Sequence, residues 1–342
     1  EDAREATKTI LNRGRIPIII GGTGLYLRWF IYGKPDVPRA SLESASAADA
    51  ELANLEGIGD WSTAVELVVK AGDSKVQYLP ANDWYRLRRS LEIIKETGSP
   101  PSAFPVPYEF FREQLVSSGA EYSHGLNSSA TEHKEVTLKD LDYEFICFFL
   151  ASQRLDLYRS IDARCEEMIS GNGGILYEAN WLLDLGLLPN MNSATRAIGY
   201  RQAMDYLLKC QHQGGASSSQ DFFAFLSDFQ KASRNFAKRQ MTWVRNELIY
   251  QWLDASRPMD EVVSFIHDAY HAQGGTMAVP ARLQMEKYIS GRKVTSELKA
   301  YQTTNRRFIR DADCRAVLEW IRTTLPASDH CDFIKTNNYI KL

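Results

Sequence analysis

Ile16-Pro17-Ile18-Ile19-Ile20 is a wholly apolar, largely β-branched run, and Gly21-Gly22-Thr23-Gly24 follows it without a break. No other feature of the chain restricts its fold as much. A β-branched run without polar alternation suits a strand buried on both faces, as in a parallel sheet covered by helices. Before it, Ala3, Ala6, Ile10 and Leu11 lie close to the 3.6-residue period and predict a helix over residues 2–14. After it, Leu25 to Phe30 can resume as helix. Helix, strand, glycine-rich loop and helix make one unit of an α/β sheet, and ligands bind at the C-terminal ends of such strands. A glycine-rich turn there lets backbone N–H groups face an anion, and Thr23 adds a hydroxyl donor. The loop is neither G-x-x-x-x-G-K-[ST] nor G-x-G-x-x-G, and a plain tight turn is the alternative reading.

With 342 residues the chain has room for roughly two domains, or one core with an insertion. Residues 1–35 read as part of an α/β core. Between Asp36 and Glu66 seven acidic residues face one basic residue, Arg39, in an Ala- and Leu-rich helical stretch. Asn82 to Thr97 then reads as a basic amphipathic helix with Leu87, Leu91 and Ile94 on one face, stopped by Gly98-Ser99-Pro100-Pro101. Residues 36–104 therefore look like a helical insertion domain, and the aperiodic residues 105–139 like a mobile loop. Tyr143–Ala151 is a second candidate for a buried strand. Helices are expected with Tyr158, Ile161, Cys165 and Met168 on one stripe, over Leu176–Leu185, over Gln202–Cys210, and from Asp221 to Trp252. Asn190–Tyr200 reads as a polar loop. Residues 140–256 would complete the core, and 257–342 would form a helical C-terminal extension. From Arg282 to Arg322 that extension carries ten basic and five acidic residues.

Several function classes are disfavoured. Forty basic and 43 acidic residues leave a net charge of −3, so no global charge announces a nucleic-acid partner. The longest apolar runs fall far short of the ~20 residues of a membrane helix. Five scattered cysteines without a C-x-x-C pair give neither zinc-finger spacing nor a disulfide framework. The chain opens on Glu1 without a signal-peptide core, so secretion is not expected, and the first residues read as an N-terminally incomplete protein.

Local charge is more informative. Lys231, Arg234, Lys238 and Arg245 fall on one face of the long helix. Between Asp228 and Arg245 five basic residues stand against one acidic. A solvated basic face is one reading, and a helix tracking the phosphates of RNA is the other. Arg196-Ala197-Ile198-Gly199-Tyr200-Arg201 places two arginines around a Gly-Tyr in a loop. Tyr stacked on a base with Arg on phosphates is an RNA-contact chemistry; surface arginines at a helix start are the plainer account.

Four segments together resemble the tRNA dimethylallyltransferases (tRNA isopentenyltransferases), a plant-type member in particular. Gly21-Gly22-Thr23-Gly24-Leu25-Tyr26 after Pro17–Ile20 is similar to that family's PI-hydrophobic-hydrophobic-GGTxLY segment. Asn82-Asp83-x-x-Arg86-x-x-Arg89-Ser90-Leu91-Glu92, ending at Thr97-Gly98, resembles its ND-x-x-R-x-x-RALE…TG helix. Arg196–Gln202 resembles its R-x-x-GYRQ loop, and Ala237–Arg245 its AKRQ-x-TW-x-R helix. The order and spacing of the four agree, over about residues 1–255.

The resemblance implies transfer of a dimethylallyl group from dimethylallyl diphosphate to N6 of adenine 37, beside the tRNA anticodon, a source of cis-type cytokinins in plants. It implies a P-loop-like parallel-sheet core whose first strands are missing here, with the helical insertion and C-terminal extension added. It places Thr23 at the reacting centre and Arg164 on the diphosphate. Arg196, Gly199, Tyr200, Arg201, Gln202, Arg234, Lys238, Arg239, Gln240 and Arg245 fall at the tRNA. The partners implied are tRNA and dimethylallyl diphosphate, with no membrane, for a monomer in the cytoplasm, plastid or mitochondrion. The family's Walker-A-type loop and its DS-x-Q-x-Y segment with the catalytic Asp have no counterpart in this sequence. Mg2+ is implied as cofactor with ligands in that upstream segment, and without the segment the chain alone is expected to be inactive. The zinc finger of some eukaryotic members is absent too. An adenylate isopentenyltransferase acting on free nucleotide and a non-catalytic RNA-binding protein remain the alternatives. The basic helix and the GYRQ loop favour tRNA over the first. An upstream phosphate loop would decide against the second.

Overall fold

The computed structural model describes residues 2–108, 144–171, 173–272, 277–287 and 292–325. They form a mostly helical molecule with a small parallel sheet, divided into two compact units, residues 1–145 and 146–342. The expected mobile loop falls, apart from residues 105–108, on residues outside those described.

In the first unit, α1 (Asp2–Asn12) and α2 (Gly24–Tyr32) are joined by Arg4. Its guanidinium donates to the Phe30, Ile31 and Trp29 carbonyls at 2.9, 3.3 and 3.4 Å. A cation there complements the unsatisfied carbonyls and negative pole of a helix C-terminus. Between the two helices the expected strand is not formed. Ile16, Ile18 and Ile20 are 53, 79 and 92 % exposed. A strand is held by ladder partners, and no strand is present among the described residues of this unit to supply them.

The next three helices, α3 (Leu42–Ile58), α4 (Trp61–Ala71) and α5 (Trp84–Thr97), start on side-chain caps and stop on glycines. Ser41, Asp60 and Asp83 accept from the backbone N–H of Ser44, Thr63 and Arg86. Gly59 and Gly98 take the left-handed conformation. Ala48, Leu52, Ala64, Val68, Leu87 and Leu91 make their shared core. The acidic stretch and the basic helix neutralise each other: Arg88 pairs with Asp49 and Glu56, and Lys95 with Glu51.

The second unit holds β1 (Phe148–Ala151), α6 (Arg154–Ser170), α7 (Ile175–Asp184), α8 (Tyr200–His212), α9 (Ser219–Arg245) and β2 (Gln251–Asp254). α10 (Met259–His271), α11 (Arg292–Lys299) and α12 (Arg315–Thr324) follow. β1 and β2 pair in parallel, Phe148 opposite Gln251 and Ala151 opposite Asp254. A parallel pair needs a crossover, and here α6 to α9 supply it. The long helix therefore stops at Arg245, short of the expected Trp252. Trp252 and Leu253, both buried, enter two different core clusters. Successive side chains on opposite faces are what a strand provides and one helical stripe does not. Met204, Leu207, Phe222, Leu226 and Phe229 form the main core, which Phe308, Cys314, Ile321 and Leu325 of the C-terminal extension complete. The stripe of α6 is also shifted from expectation: Asp162, Cys165, Glu166 and Ile169 are buried, while Met168 is 36 % exposed.

Candidate functional site

The Arg196–Gln202 segment is a tightly built corner between a turn and α8. Asn192 Oδ1 accepts the Thr195 N–H at 2.9 Å, and Thr195 Oγ1 accepts the Asn192 N–H at 3.1 Å. Thr195 is fully buried. Gly199 then turns the chain at φ +97°, where a Cβ would lie 2.5 Å from Ile175 Cδ1 and 3.0 Å from Phe229 Cε2. No other residue type fits that space and that backbone angle. The Gly199 N–H donates to buried Gln202 Oε1 at 2.9 Å, so Gln202 holds the corner from inside. Tyr200 donates its hydroxyl to Glu178 Oε2 at 2.6 Å, and that bond to the carboxylate raises the phenol pKa. Arg196, which also donates to the Asn190 carbonyl at 3.2 Å, and Arg201 point to solvent on either side. The corner thus fixes the backbone positions of two arginines by anchoring the residues between them.

α9 divides the expected basic stripe in two. Lys231, Lys238 and Arg239 are exposed, with Arg239 lying 5.9 Å over the Phe236 ring. Arg234 is turned inward, paired with Asp162, donating to Thr303 Oγ1 at 2.9 Å and lying 5.4 Å over the Tyr301 ring. Arg245 Nε donates to the Lys287 carbonyl at 2.7 Å. Sequence spacing put all four on one face; in the structure two of them hold the C-terminal segments against α9. Gln240 is half-buried on the same helix. Phe229, Phe236 and Trp243 of the same helix do not share one apolar face. Phe229 is buried in the main core, Trp243 packs against the cluster around β2, and Phe236 is 40 % exposed.

Between α8 and α9 lies a groove of about 490 Å³ lined by Arg201, Asp205, Lys209, Asp221, Asp228 and Lys231 among others. Burial pushes the Asp205 carboxyl upward, against the pull of Arg201. Lys209, with Ser218, holds the Asp221 carboxyl down at about 2. The groove is therefore edged by both signs of charge, with cations at its Arg201 and Lys231 rims.

Thr23 belongs to the first unit. It is exposed at the start of α2; its carbonyl accepts from the Tyr26 and Leu27 N–H at 3.0 and 3.2 Å, and its hydroxyl makes no capping bond. Arg164 belongs to the second, exposed and paired with Glu167 at 3.3 Å. Sequence reading missed Asp162 and Glu166. Both are at most 1 % exposed and both hold the segment 301–308. Their signal was present: at i and i+4 they share the stripe of Cys165 and Ile169, where an acidic residue must find donors inside the protein.

Residues 1–247 match the model of the IPP transferase family. The chain belongs to that family. It is 57 % identical over 323 residues to tRNA dimethylallyltransferase 9 of Arabidopsis thaliana, covering 94 % of this chain and 70 % of that relative. To the tRNA dimethylallyltransferase of Protochlamydia amoebophila it is 32 % identical over 262 residues, 77 % of this chain and 64 % of that one. Its fold is similar to that of a eukaryotic dimethylallyltransferase acting on tRNA, at a TM-score of 0.54 and 20 % identity, over 86 % of this chain and 64 % of that one. The chain thus spans 64 to 70 % of these relatives' lengths. The family match ends within two residues of α9, so β2 and the C-terminal helices of this IPP transferase lie beyond it.

Proposed function

We propose that this IPP transferase moves the dimethylallyl group of dimethylallyl diphosphate to N6 of adenine 37 in tRNA. The observation that carries the proposal is the 57 % identity, across 94 % of the chain, to a relative named tRNA dimethylallyltransferase 9. In the reaction N6 attacks the allylic C1: a C–N bond forms, the C–O bond to diphosphate breaks, and N6 loses a proton. The target base must leave its stack to be reached. Positioning of the two reactants and stabilisation of the departing charge are what the protein has to supply.

In this reading the rigid corner at Gly199 presents Arg196 and Arg201 to the tRNA backbone, and Tyr200 offers a ring for stacking. Lys238 and Arg239 extend the cationic surface along α9. The Arg234 paired with Asp162 and the Arg245 bonded to Lys287 serve architecture instead. The uncommitted hydroxyl of Thr23 at the start of α2 suits a hydrogen bond to the reactants, and Arg164 a contact with diphosphate. Among the described residues no group of three His, Cys, Asp or Glu side chains could hold a metal ion. None of their helices is long and apolar enough to cross a membrane.

We also infer that the core is P-loop-like, with residues 16–20 supplying a strand of a parallel sheet. The solvent-facing isoleucines, a poor surface but a good strand, support this. The function is tested by incubating the full-length protein with labelled dimethylallyl diphosphate and either unmodified tRNA or adenosine monophosphate. Label on adenine 37 of tRNA is expected. Label on the mononucleotide alone, or on neither, refutes the proposal.

A further inference from the structure

The segment from Tyr301 to Phe308 crosses α6 and α9 as a strap, and its fastening is unusual. The Glu166 carboxylate is wholly buried and accepts from three successive backbone N–H groups, those of Arg306 at 2.9 and 3.1 Å and of Arg307 and Phe308 at 3.1 Å. Successive N–H groups turned to one anion form a nest, here filled by the protein's own side chain. Phe308 enters the main core and packs edge-on against Phe222 at 4.9 Å. Upstream, Tyr301 donates to Asp162 at 2.8 Å, and Asn305 accepts from Gln230 at 3.0 Å.

With three inward N–H groups and an inward ring, the side chains of Arg306 and Arg307 are left outside, and both are exposed. Many arginines of this unit have a carboxylate within reach: Arg159 has Asp156, Arg164 has Glu167, Arg310 has Asp313, and Arg322 has Glu319. Among the described residues Arg306 and Arg307 have none. Two adjacent guanidiniums therefore stand on a backbone that is immobilised from beneath. Lys231 adjoins Gln230, the residue that grips Asn305, so the strap carries its arginines to the same helix that bears the exposed cations of α9.

We propose that Arg306 and Arg307 are contacts for the phosphate backbone of tRNA, supplied by the part of the chain beyond the family match. The proposal rests on tRNA being the substrate. The chemistry that fits is a row of phosphates: guanidiniums remain charged, bind phosphate oxygens in pairs, and lose less entropy when the backbone beneath them is already fixed. An acidic protein surface is the rival partner, and it leaves tRNA binding unaffected by these residues.

The experiment is equilibrium binding of the full-length protein to an unmodified tRNA over a series of salt concentrations, for the wild type, R306A/R307A and R306K/R307K. The backbone N–H groups that satisfy Glu166 survive both double substitutions, so both variants should unfold at the wild-type temperature. The alanine pair is expected to flatten the slope of log K against log salt by about 0.7–0.9 per lost contact. The lysine pair is expected to keep most of that slope. An unchanged slope in the alanine pair while the wild type binds tRNA overturns the proposal and leaves the tRNA reading standing. A loss as large in the lysine pair as in the alanine pair also overturns it. A wild type with no salt-dependent affinity for tRNA removes the tRNA reading itself.

Discussion

Asp162 and Arg234 form an ion pair between α6 and α9 in which the two side chains are 2 % and 16 % exposed. The second carboxylate oxygen takes the Tyr301 hydroxyl, and the guanidinium also reaches Thr303, so each partner is satisfied from the strap as well. Removing one member leaves the other charge buried. Arg234→Ala is therefore expected to cost about 3–5 kcal/mol of stability, read by denaturant unfolding. A loss below about 1 kcal/mol would mean that the pair behaves as a solvated one.

Gly199→Ala tests the corner before α8. The substitution puts a side chain at φ +97° and a Cβ against Ile175 and Phe229. Backbone strain and overpacking each carry about 1–3 kcal/mol. The unfolding midpoint should drop accordingly, and tRNA affinity should fall with it as Arg196 and Arg201 lose their spacing. An unaltered midpoint would show that the corner relaxes freely.

Lys238 and Arg245 separate two kinds of cation on one helix. Lys238→Ala should weaken tRNA binding and reduce its salt slope by about 0.7–0.9, with stability changed by less than about 0.5 kcal/mol. Arg245→Ala removes the 2.7 Å bond to the Lys287 carbonyl and should act chiefly on stability. Equal salt slopes for Lys238→Ala and the wild type would reduce the exposed half of the stripe to a solvated face.

Acid unfolding should report Asp221. Its carboxyl titrates near 2 in the folded chain instead of at 3.8, held down by Lys209 and Ser218 at the start of α9. A depressed folded pKa gives stability that is full above the unfolded value and is lost as pH falls through the folded one. The loss should fall between about pH 4 and pH 2, and Asp221→Asn should flatten that limb of the pH profile. A wild-type profile already flat there contradicts the assignment.

Where the sequence was a good guide, the evidence was local. The caps Asp83 and Gly98 bound α5 where the pattern placed it, and Gly199 is a glycine because of its backbone angle and its neighbours. What escaped was set by partners far along the chain. Nothing in the spacing of Lys231, Arg234, Lys238 and Arg245 distinguishes the residue that meets Asp162, because that contact is made 72 positions away. Trp252 read as the end of a helix because its strand partner, Phe149, lies beyond four intervening helices. The run Ile16–Ile20 has strand composition, but composition cannot supply a neighbouring strand.

The Glu166 clamp sets an order of events during synthesis. The carboxylate and the Phe308 N–H are 142 positions apart, a delay of roughly 7–30 s at 5–20 residues added per second. In the last part of that interval, once Arg245 has completed α9, the shared core of α6 to α9 still lacks Phe308 and Ile321, and the most deeply buried acid of α6 has no donors. Burying an unsatisfied carboxylate is costly, so the nascent second unit is held in a loosely packed state with its apolar stripes accessible to chaperones. A ribosome that stops short of Phe308 releases a chain that carries α6 to α11 but whose core cannot close.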